Sequence, residues 1–122
     1  MTLSSVDTPS RDSALAAARL HFDCGDFIRD LARRVAIRTE SQNPASAAEL
    51  GRYLHEEVQP TLAALGFACT VHPNPEPPYG PLMIARRQED VRLPTVLMYG
   101  HGDVIRGQDT SWTRGQGPWT LA

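Results

Sequence analysis

The spacing of apolar residues changes at Gly66, and this change divides the chain into a helical part and a part made of strands. Upstream, apolar residues recur every three or four positions between residues 47 and 65, which is the spacing of one helix face. Downstream, larger apolar residues alternate with small or polar ones from residue 67 to residue 72, which is the period of a strand. A chain with both periods is expected to pack helices against a sheet.

The upstream part begins with signals for two helices. Ser10 or Ser13 is placed to cap an alanine-rich helix that runs through Phe22. A second helix begins at Asp26, directly after Gly25, and carries one apolar stripe opposite a charged face. The members of that stripe are Phe27, Ile28, Leu31 and Val35.

A third helix is expected to start at Asn43-Pro44, because asparagine caps a helix and proline suits its first position. Its apolar residues reach Leu65, and Gly66 is placed to end it. Pro60 lies inside this helix and predicts a kink, since the proline ring clashes with the carbonyl group four residues earlier.

Two further strands are predicted after the first one. The proline-rich segment 73–81 forms a loop, and residues 82–85 form the second strand. Residues 95–99 form a continuous apolar run, which is typical of a strand buried on both faces of a sheet. The order of the elements predicts an α/β fold in which helices sandwich a mixed sheet.

Length and charge limit the classes of function. The 122 residues fit one domain with a modest core, which we place at residues 10–122 after a disordered lead at residues 1–9. The net charge is −2, and the 12 basic residues, all arginine, are scattered along the chain. This composition favours neither nucleic acid nor an anionic membrane as a partner.

Targeting signals and cysteines bear on the compartment. The start of the chain has no basic segment followed by an apolar run, as a secretory signal would have. No stretch approaches the roughly 20 apolar residues of a membrane span. Two cysteines do not make a disulfide framework. We therefore expect a cytoplasmic protein without a membrane partner.

A histidine and an aspartate follow the apolar run directly, in the sequence Gly100-His-Gly-Asp103. Open α/β sheets bind ligands at the carboxyl ends of their strands, so a site is expected here. His101 and Asp103 are two residues apart, and in an extended segment they project to the same side. This arrangement suits an imidazole metal ligand whose ring is oriented by a carboxylate. Gly100 and Gly102 let the backbone turn sharply and leave room for a ligand.

The same tripeptide has a simpler interpretation. The chain has four histidines and eight aspartates, so a His-x-Asp sequence arises easily by chance, and a surface turn with a hydrogen-bonded histidine is the alternative. We interpret His21 and His55 as helix-surface residues and His72 as a strand-end residue. The chain has no nucleophile elbow, no phosphate-binding loop and no Cys-x-x-Cys sequence.

The segment Thr95-Val-Leu-Met-Tyr-Gly-His-Gly-Asp-Val-Ile105, with Trp112 and Gly117-Pro-Trp119, resembles the first metal-binding motif of a family of zinc metallopeptidases and deacylases. That family includes acetylornithine deacetylase, succinyl-diaminopimelate desuccinylase, carboxypeptidase G, aminoacylase and the carnosine dipeptidases. Residues 27–41 resemble its opening helix, and residues 54–67 resemble its long helix ending in Leu-Gly-Phe. The resemblance covers residues 22–122.

The resemblance implies the start of a zinc-exopeptidase-like catalytic domain. It implies two zinc ions, with cobalt or manganese as substitutes, that share a bridging carboxylate and activate a water molecule. His101 matches the histidine that binds one zinc ion, and Asp103 matches the catalytic carboxylate that braces this histidine. Arg106 departs from the family pattern, in which proline often starts the following loop.

The resemblance also implies that most of the site is missing. The family's other metal ligands, its general base and its dimerisation domain lie beyond the equivalent of residue 122. We therefore expect an amino-terminal fragment, inactive alone, of an enzyme that cleaves a peptide or N-acyl amino acid amide bond and is a homodimer when complete. Two alternatives are a non-catalytic interaction module and a small α/β domain without a metal.

Overall fold

The computed structural model describes residues 10–76 and 79–121, and the disordered lead predicted at residues 1–9 lies outside them. The described residues form helices and a two-stranded antiparallel sheet, so the α/β class is correct at this level. The elements, in chain order, are α1 (Arg11–Asp23), α2 (Asp26–Val35), α3 (Ala47–Tyr53), α4 (Gln59–Ala64), β1 (Ala68–His72) and β2 (Leu82–Arg86). Short 3₁₀ turns lie at Pro44–Ser46 and Asp109–Ser111.

The two amino-terminal helices begin where the sequence predicts. The Ser10 side chain accepts a hydrogen bond from the Ser13 backbone N–H at 3.1 Å and caps α1. Gly25 separates α1 from α2 and has a φ of 81°, a left-handed conformation that glycine adopts without a steric penalty. Phe22 and Phe27 pack across this corner with ring centroids 5.9 Å apart, which ties the two helices together.

The third helical region is continuous but irregular. The Asn43 side chain accepts a hydrogen bond from the Ala45 N–H at 3.2 Å, which confirms the predicted start. A π-helical stretch, Leu54–Val58, joins α3 to α4 directly before Pro60. The wider turn takes up the irregularity that a proline forces on an α-helix, so the predicted kink takes the form of a π-helical insertion. Gly66 follows with a φ of 84°.

The sheet follows α4. β1 pairs with β2 in antiparallel register, with Ala68 opposite Arg86 and His72 opposite Leu82. Alternate residues of both strands are half-buried, which confirms the period of two read from the sequence. β1 also contacts α4, so one face of the hairpin lies against the end of the long helix.

The apolar run at residues 95–99 is not a strand, and the prediction that it is buried on both faces is wrong. Val96, Leu97, Met98 and Tyr99 are 78%, 94%, 79% and 88% exposed. An apolar run becomes a buried strand only when neighbouring strands cover it. Within residues 10–76 and 79–121, neither β1 nor β2 pairs with the run at residues 95–99.

The buried interior is small and mostly polar. Among the described residues, Ile37 and Leu50 are the buried hydrophobic side chains. The buried polar residues are Thr39, Glu40, Ser46 and Glu57. Hydrogen bonds and ion pairs between buried polar groups therefore help to hold residues 37–57 in place.

An ion pair joins α2 to the long helical region. Arg33 donates from Nε and Nη2 to the two carboxylate oxygens of Glu57, each at 3.1 Å. This two-point geometry is the strong form of an arginine–carboxylate pair. Glu57 is 9% exposed, so the pair is shielded from water on the carboxylate side.

The accessible surface of the chain is large. It measures 10336 Å², against about 6,500 Å² expected for a compact monomer of this mass. None of the helices in the described part of the chain is long and apolar enough to cross a membrane. The exposed side chains of Val96, Leu97, Met98 and Tyr99 form an apolar run on this surface.

We predict that this exposed run makes the chain self-associate at tens of micromolar, because exposed apolar segments tend to associate with one another. Leu97→Arg should reduce the association, and it should leave the fold intact because Leu97 is 94% exposed. Val91→Arg is the matched control, since Val91 is 83% exposed but lies outside the run. Light scattering after size-exclusion chromatography measures the mass. A monomer whose mass neither substitution changes would contradict the prediction.

Candidate functional site

The predicted histidine and aspartate lie together on an exposed segment. The Nδ1 atom of His101 lies 3.3 Å from Oδ1 of Asp103 and 3.1 Å from the Asp103 carbonyl oxygen. The side chains of His101 and Asp103 are 68% and 47% exposed. Acceptors on one side of the ring favour a proton on Nδ1, which leaves the lone pair on Nε2. Among the described residues, Nε2 has no hydrogen-bond partner, so it is available to a ligand.

The backbone of this segment is held by the stretch that follows α2. The Val104 N–H donates to the Thr39 carbonyl at 2.9 Å, and the Ser41 N–H donates to the Val104 carbonyl at 3.0 Å. These bonds form an isolated parallel bridge between Glu40 and Val104. The Thr39 hydroxyl adds a bond of 2.7 Å to the Gly102 carbonyl. Residues more than sixty positions apart are thereby joined next to the candidate site.

A tyrosine ring lies against the glycine between the two site residues. A Cβ atom added to Gly102 would lie 2.2 Å from Cε1 of Tyr53, which is too close for any side chain. Only glycine lets the backbone approach the ring this closely. Gly100, by comparison, has nothing within 4 Å of the equivalent position.

Glu40 binds the loop that follows the site. It is 5% exposed, and its Oε1 accepts the Gly107 N–H at 2.7 Å. Its Oε2 accepts from Asn43 at 3.0 Å and from Ser46 at 3.1 Å. The Gly107 amide is the main cause that holds the pKa of Glu40 below its ordinary value, with Asn43 next, while burial opposes both. A buried carboxylate with three donors is well satisfied in its charged form.

The loop after Gly107 is fixed by indole groups. Trp112 donates from Nε1 to the Gly107 carbonyl at 2.8 Å, and Trp119 donates to Asp109 at 3.0 Å. Arg38 stacks on the Trp119 ring at 5.3 Å from its centroid and lies 3.4 Å from Asp109. An open pocket of about 690 Å³ lies along this loop. His101 does not line it, so the His–Asp pair lies outside this pocket.

The number of potential metal ligands near His101 bears on whether a catalytic zinc ion could bind here. Such an ion has three protein ligands and one open position. His101 fits as one ligand, because Asp103 orients its ring and Nε2 is open. Among residues 10–76 and 79–121, no cluster of three or more His, Cys, Asp or Glu side chains could hold a metal ion. The described residues therefore do not bring together the three ligands that such an ion has.

Thr39, Glu40 and Tyr53 are the site-forming residues that the sequence did not reveal. The sequence shows only that residues 39–42 are polar and interrupt the helical period. Their partners lie at residues 102–107, and local spacing carries no signal for contacts over such separations. A single acidic residue between two hydroxyl residues, directly after a helix, is the one local feature that could have drawn attention to Glu40.

The chain was compared with models of protein families, with curated proteins and with solved structures, and no significant match was found. The resemblance of residues 95–119 to a metallopeptidase motif thus stays an expectation from sequence. The roles assigned to His101 and Asp103 stay expectations as well.

We predict that Glu40 stabilises the fold in a pH-dependent way. Its pKa is lowered in the folded chain, so its stabilisation is present above the unfolded pKa of about 4.3 and is lost as pH falls through the folded pKa. Glu40→Gln should therefore lower Tm at pH 7, and the difference from wild type should shrink as the pH falls below the unfolded pKa.

The matched control is Glu56→Gln, because Glu56 is 59% exposed and pairs only at the surface. Asp30 and Asp90 also have lowered pKa values, so wild type itself loses stability in acid and only the difference between chains is informative. Thermal unfolding followed by circular dichroism across pH 3–7 gives that difference. A Tm difference that is constant across this range would count against the prediction.

We predict that Gly102→Ala destabilises the chain by about 1–3 kcal/mol, the usual cost of overpacking, because the new methyl group meets the Tyr53 ring. Gly100→Ala is the matched control, as neither glycine has a positive φ and only Gly102 is crowded. In a Tyr53→Ala background the cost of Gly102→Ala should shrink. Denaturant unfolding of the four variants tests this, and equal costs at both glycines would refute it.

Proposed function

We propose that this chain supplies one zinc ligand, His101, and its orienting carboxylate, Asp103, to a hydrolase that cleaves a peptide or N-acyl amino acid amide bond. The observation that carries the proposal is the distance of 3.3 Å between Nδ1 of His101 and Oδ1 of Asp103, with Nε2 left open. The sequence resemblance of residues 95–119 supplies the reaction class. The finer fold assignment, the start of a zinc-exopeptidase-like domain with a mixed sheet, belongs to the same proposal.

The chemistry of the pair follows from its geometry. A carboxylate that accepts the Nδ1 proton fixes the tautomer and the ring orientation. Two bound zinc ions would lower the pKa of a shared water molecule and polarise the scissile carbonyl. In this chain, Asp103 places two oxygen acceptors beside Nδ1 of His101, at 3.1 and 3.3 Å, and the His101 side chain is 68% exposed.

The rest of the site has to come from other residues. One histidine does not hold two ions, so we propose that the general base and the remaining ligands lie outside these 122 residues. We also propose that zinc is replaceable by cobalt or manganese, that the complete enzyme is a cytoplasmic homodimer, and that its substrate is a small peptide or an N-acyl amino acid. The 122-residue chain is then inactive alone.

The exposed apolar run favours a second function, that of a non-catalytic interaction module. Val96 to Tyr99 are four consecutive exposed apolar residues, and a partner strand could cover such a run. The sequence downstream of residue 122 separates the two functions. An in-frame aspartate and a glutamate pair favour the enzyme, whereas an immediate stop codon favours the module.

We predict the effect of removing each member of the pair in a polypeptide that carries this segment and the remaining ligands. His101→Ala should lose one zinc ion and nearly all turnover, because one metal loses a ligand. Asp103→Ala should cost about 10–100-fold in metal affinity or activity, and Asp103→Asn should cost less because the amide oxygen still accepts the Nδ1 proton. Metal stoichiometry by mass spectrometry is read beside turnover.

Two controls accompany this test. His55→Ala removes an exposed helix histidine and should leave zinc content and rate unchanged. The 122-residue chain, incubated with zinc and a panel of dipeptides and acetylated amino acids, should match the blank. Two zinc ions and a full rate in His101→Ala would end the metal-ligand assignment.

A further inference from the structure

We propose that Thr39 is a positioning residue for the His101–Asp103 pair. Its hydroxyl fixes the peptide between the two side chains and so sets the distance between the imidazole and the carboxylate. Any effect of Thr39 on metal binding by His101 rests on the proposed function. The effect of Thr39 on the geometry of the pair does not.

Thr39 holds the backbone on both sides of Asp103. Its hydroxyl donates to the Gly102 carbonyl at 2.7 Å, and its own carbonyl accepts the Val104 N–H at 2.9 Å. Thr39 is 4% exposed, so water does not compete freely for either bond. One buried residue therefore fixes the two neighbours of the candidate carboxylate.

The orientation of the pair depends on a fixed backbone because the side chains of His101 and Asp103 are largely exposed. His101 and Asp103 are 68% and 47% exposed, so packing does not lock their rotamers. The residue between them is Gly102, whose backbone is the least restricted of any residue type. The orientation of the pair thus depends on what holds the peptide at Gly102. Thr39 holds its carbonyl, and the Tyr53 ring lies close to its Cα.

The hydroxyl of Ser41, two residues after Thr39, does not bind the Gly102 carbonyl. Ser41 donates from its side chain to the Val104 carbonyl at 3.4 Å, which is long, and the residue is exposed. It lies on the same bridge as Thr39 but does not touch Gly102. Ser41→Ala is therefore a matched control that removes a hydroxyl without releasing the peptide of the pair.

The tautomer of His101 reports whether the two oxygen acceptors of Asp103 stay beside Nδ1. With these acceptors in place we expect the proton on Nδ1, whereas a free histidine side chain favours Nε2–H. The ¹⁵N shifts of the ring, measured at pH 8 on chain carrying ring-labelled histidine, give the ratio of the two forms. His55 serves as an internal reference, and all variants are measured at one protein concentration, so any association is common to them.

Thr39→Val keeps the shape of the side chain and removes the donor. We expect the ratio of Nδ1–H to Nε2–H at His101 to fall by roughly three- to tenfold, the range for the net loss of one hydrogen bond. Thr39→Ser should restore the wild-type ratio, and Ser41→Ala should not change it. His55 should be the same in every chain.

Three results would overturn the inference. The first is a folded Thr39→Val chain with the wild-type ratio, and the second is a folded Thr39→Ser chain without rescue. The third is a wild-type chain in which His101 carries its proton on Nε2, and this result needs no variant to fold. None of the measurements involves a metal. If zinc binding by His101 were disproved, the tautomer result would still stand, and the reverse also holds.

Discussion

The contact between residues 39–41 and residues 102–107 is the constraint on which the order of the carboxyl-terminal third depends. Its centre is Glu40, a carboxylate that is 5% exposed and has three hydrogen-bond donors. One of the donors is the backbone N–H of Gly107, 67 positions away. A buried charge without its partners is costly, so this contact forms completely or the carboxylate returns to water. The loop that carries the candidate site is attached to the helices through this contact.

The contact has a direct effect on the site. His101 and Asp103 are exposed side chains on a backbone that is fixed from behind, at Gly102, Val104 and Gly107. An exposed imidazole on a fixed backbone is open to a ligand and yet held in direction. Functional side chains are often arranged in this way, on loops positioned by a scaffold. Within residues 10–76 and 79–121, no further His, Cys, Asp or Glu side chains join the pair to make a group of three that could hold a metal ion.

The sequence predicted the elements whose causes are local. Ser10 and Asn43 cap helices by bonding to amides two or three positions away, and Gly66 ends a helix through its own φ. The alternation in β1 is equally local. Pro60 predicted an irregularity in the helix. Whether that irregularity is a bend or a π-helical stretch depends on the packing of the helix, which local sequence does not show.

The sequence failed where the cause is distant. The run at residues 95–99 has the composition of a buried strand, but burial is a property of neighbours, and composition does not supply them. Thr39 and Glu40 appeared only as polar residues at a helix end, because their partners are 63 and 67 positions away. The proximity of His101 and Asp103 could be predicted because only Gly102 separates them in the chain. Which further residues stand near them is again a question of distant contacts.

The exposed run at residues 95–99 and the candidate site at His101 are adjacent in the chain. Pairing of this run with another strand would change the surroundings of both. Leu97 and Tyr99 are nearly fully exposed, and His101 follows Tyr99 by two residues. Covering an apolar side chain of this size contributes about 1.5–3 kcal/mol, so a strand paired with this run would gain from several such side chains at once. Strand ends that lie side by side bring their following residues to the same edge of a sheet. A strand that covered the run would therefore also bring its own side chains up to the open Nε2 of His101.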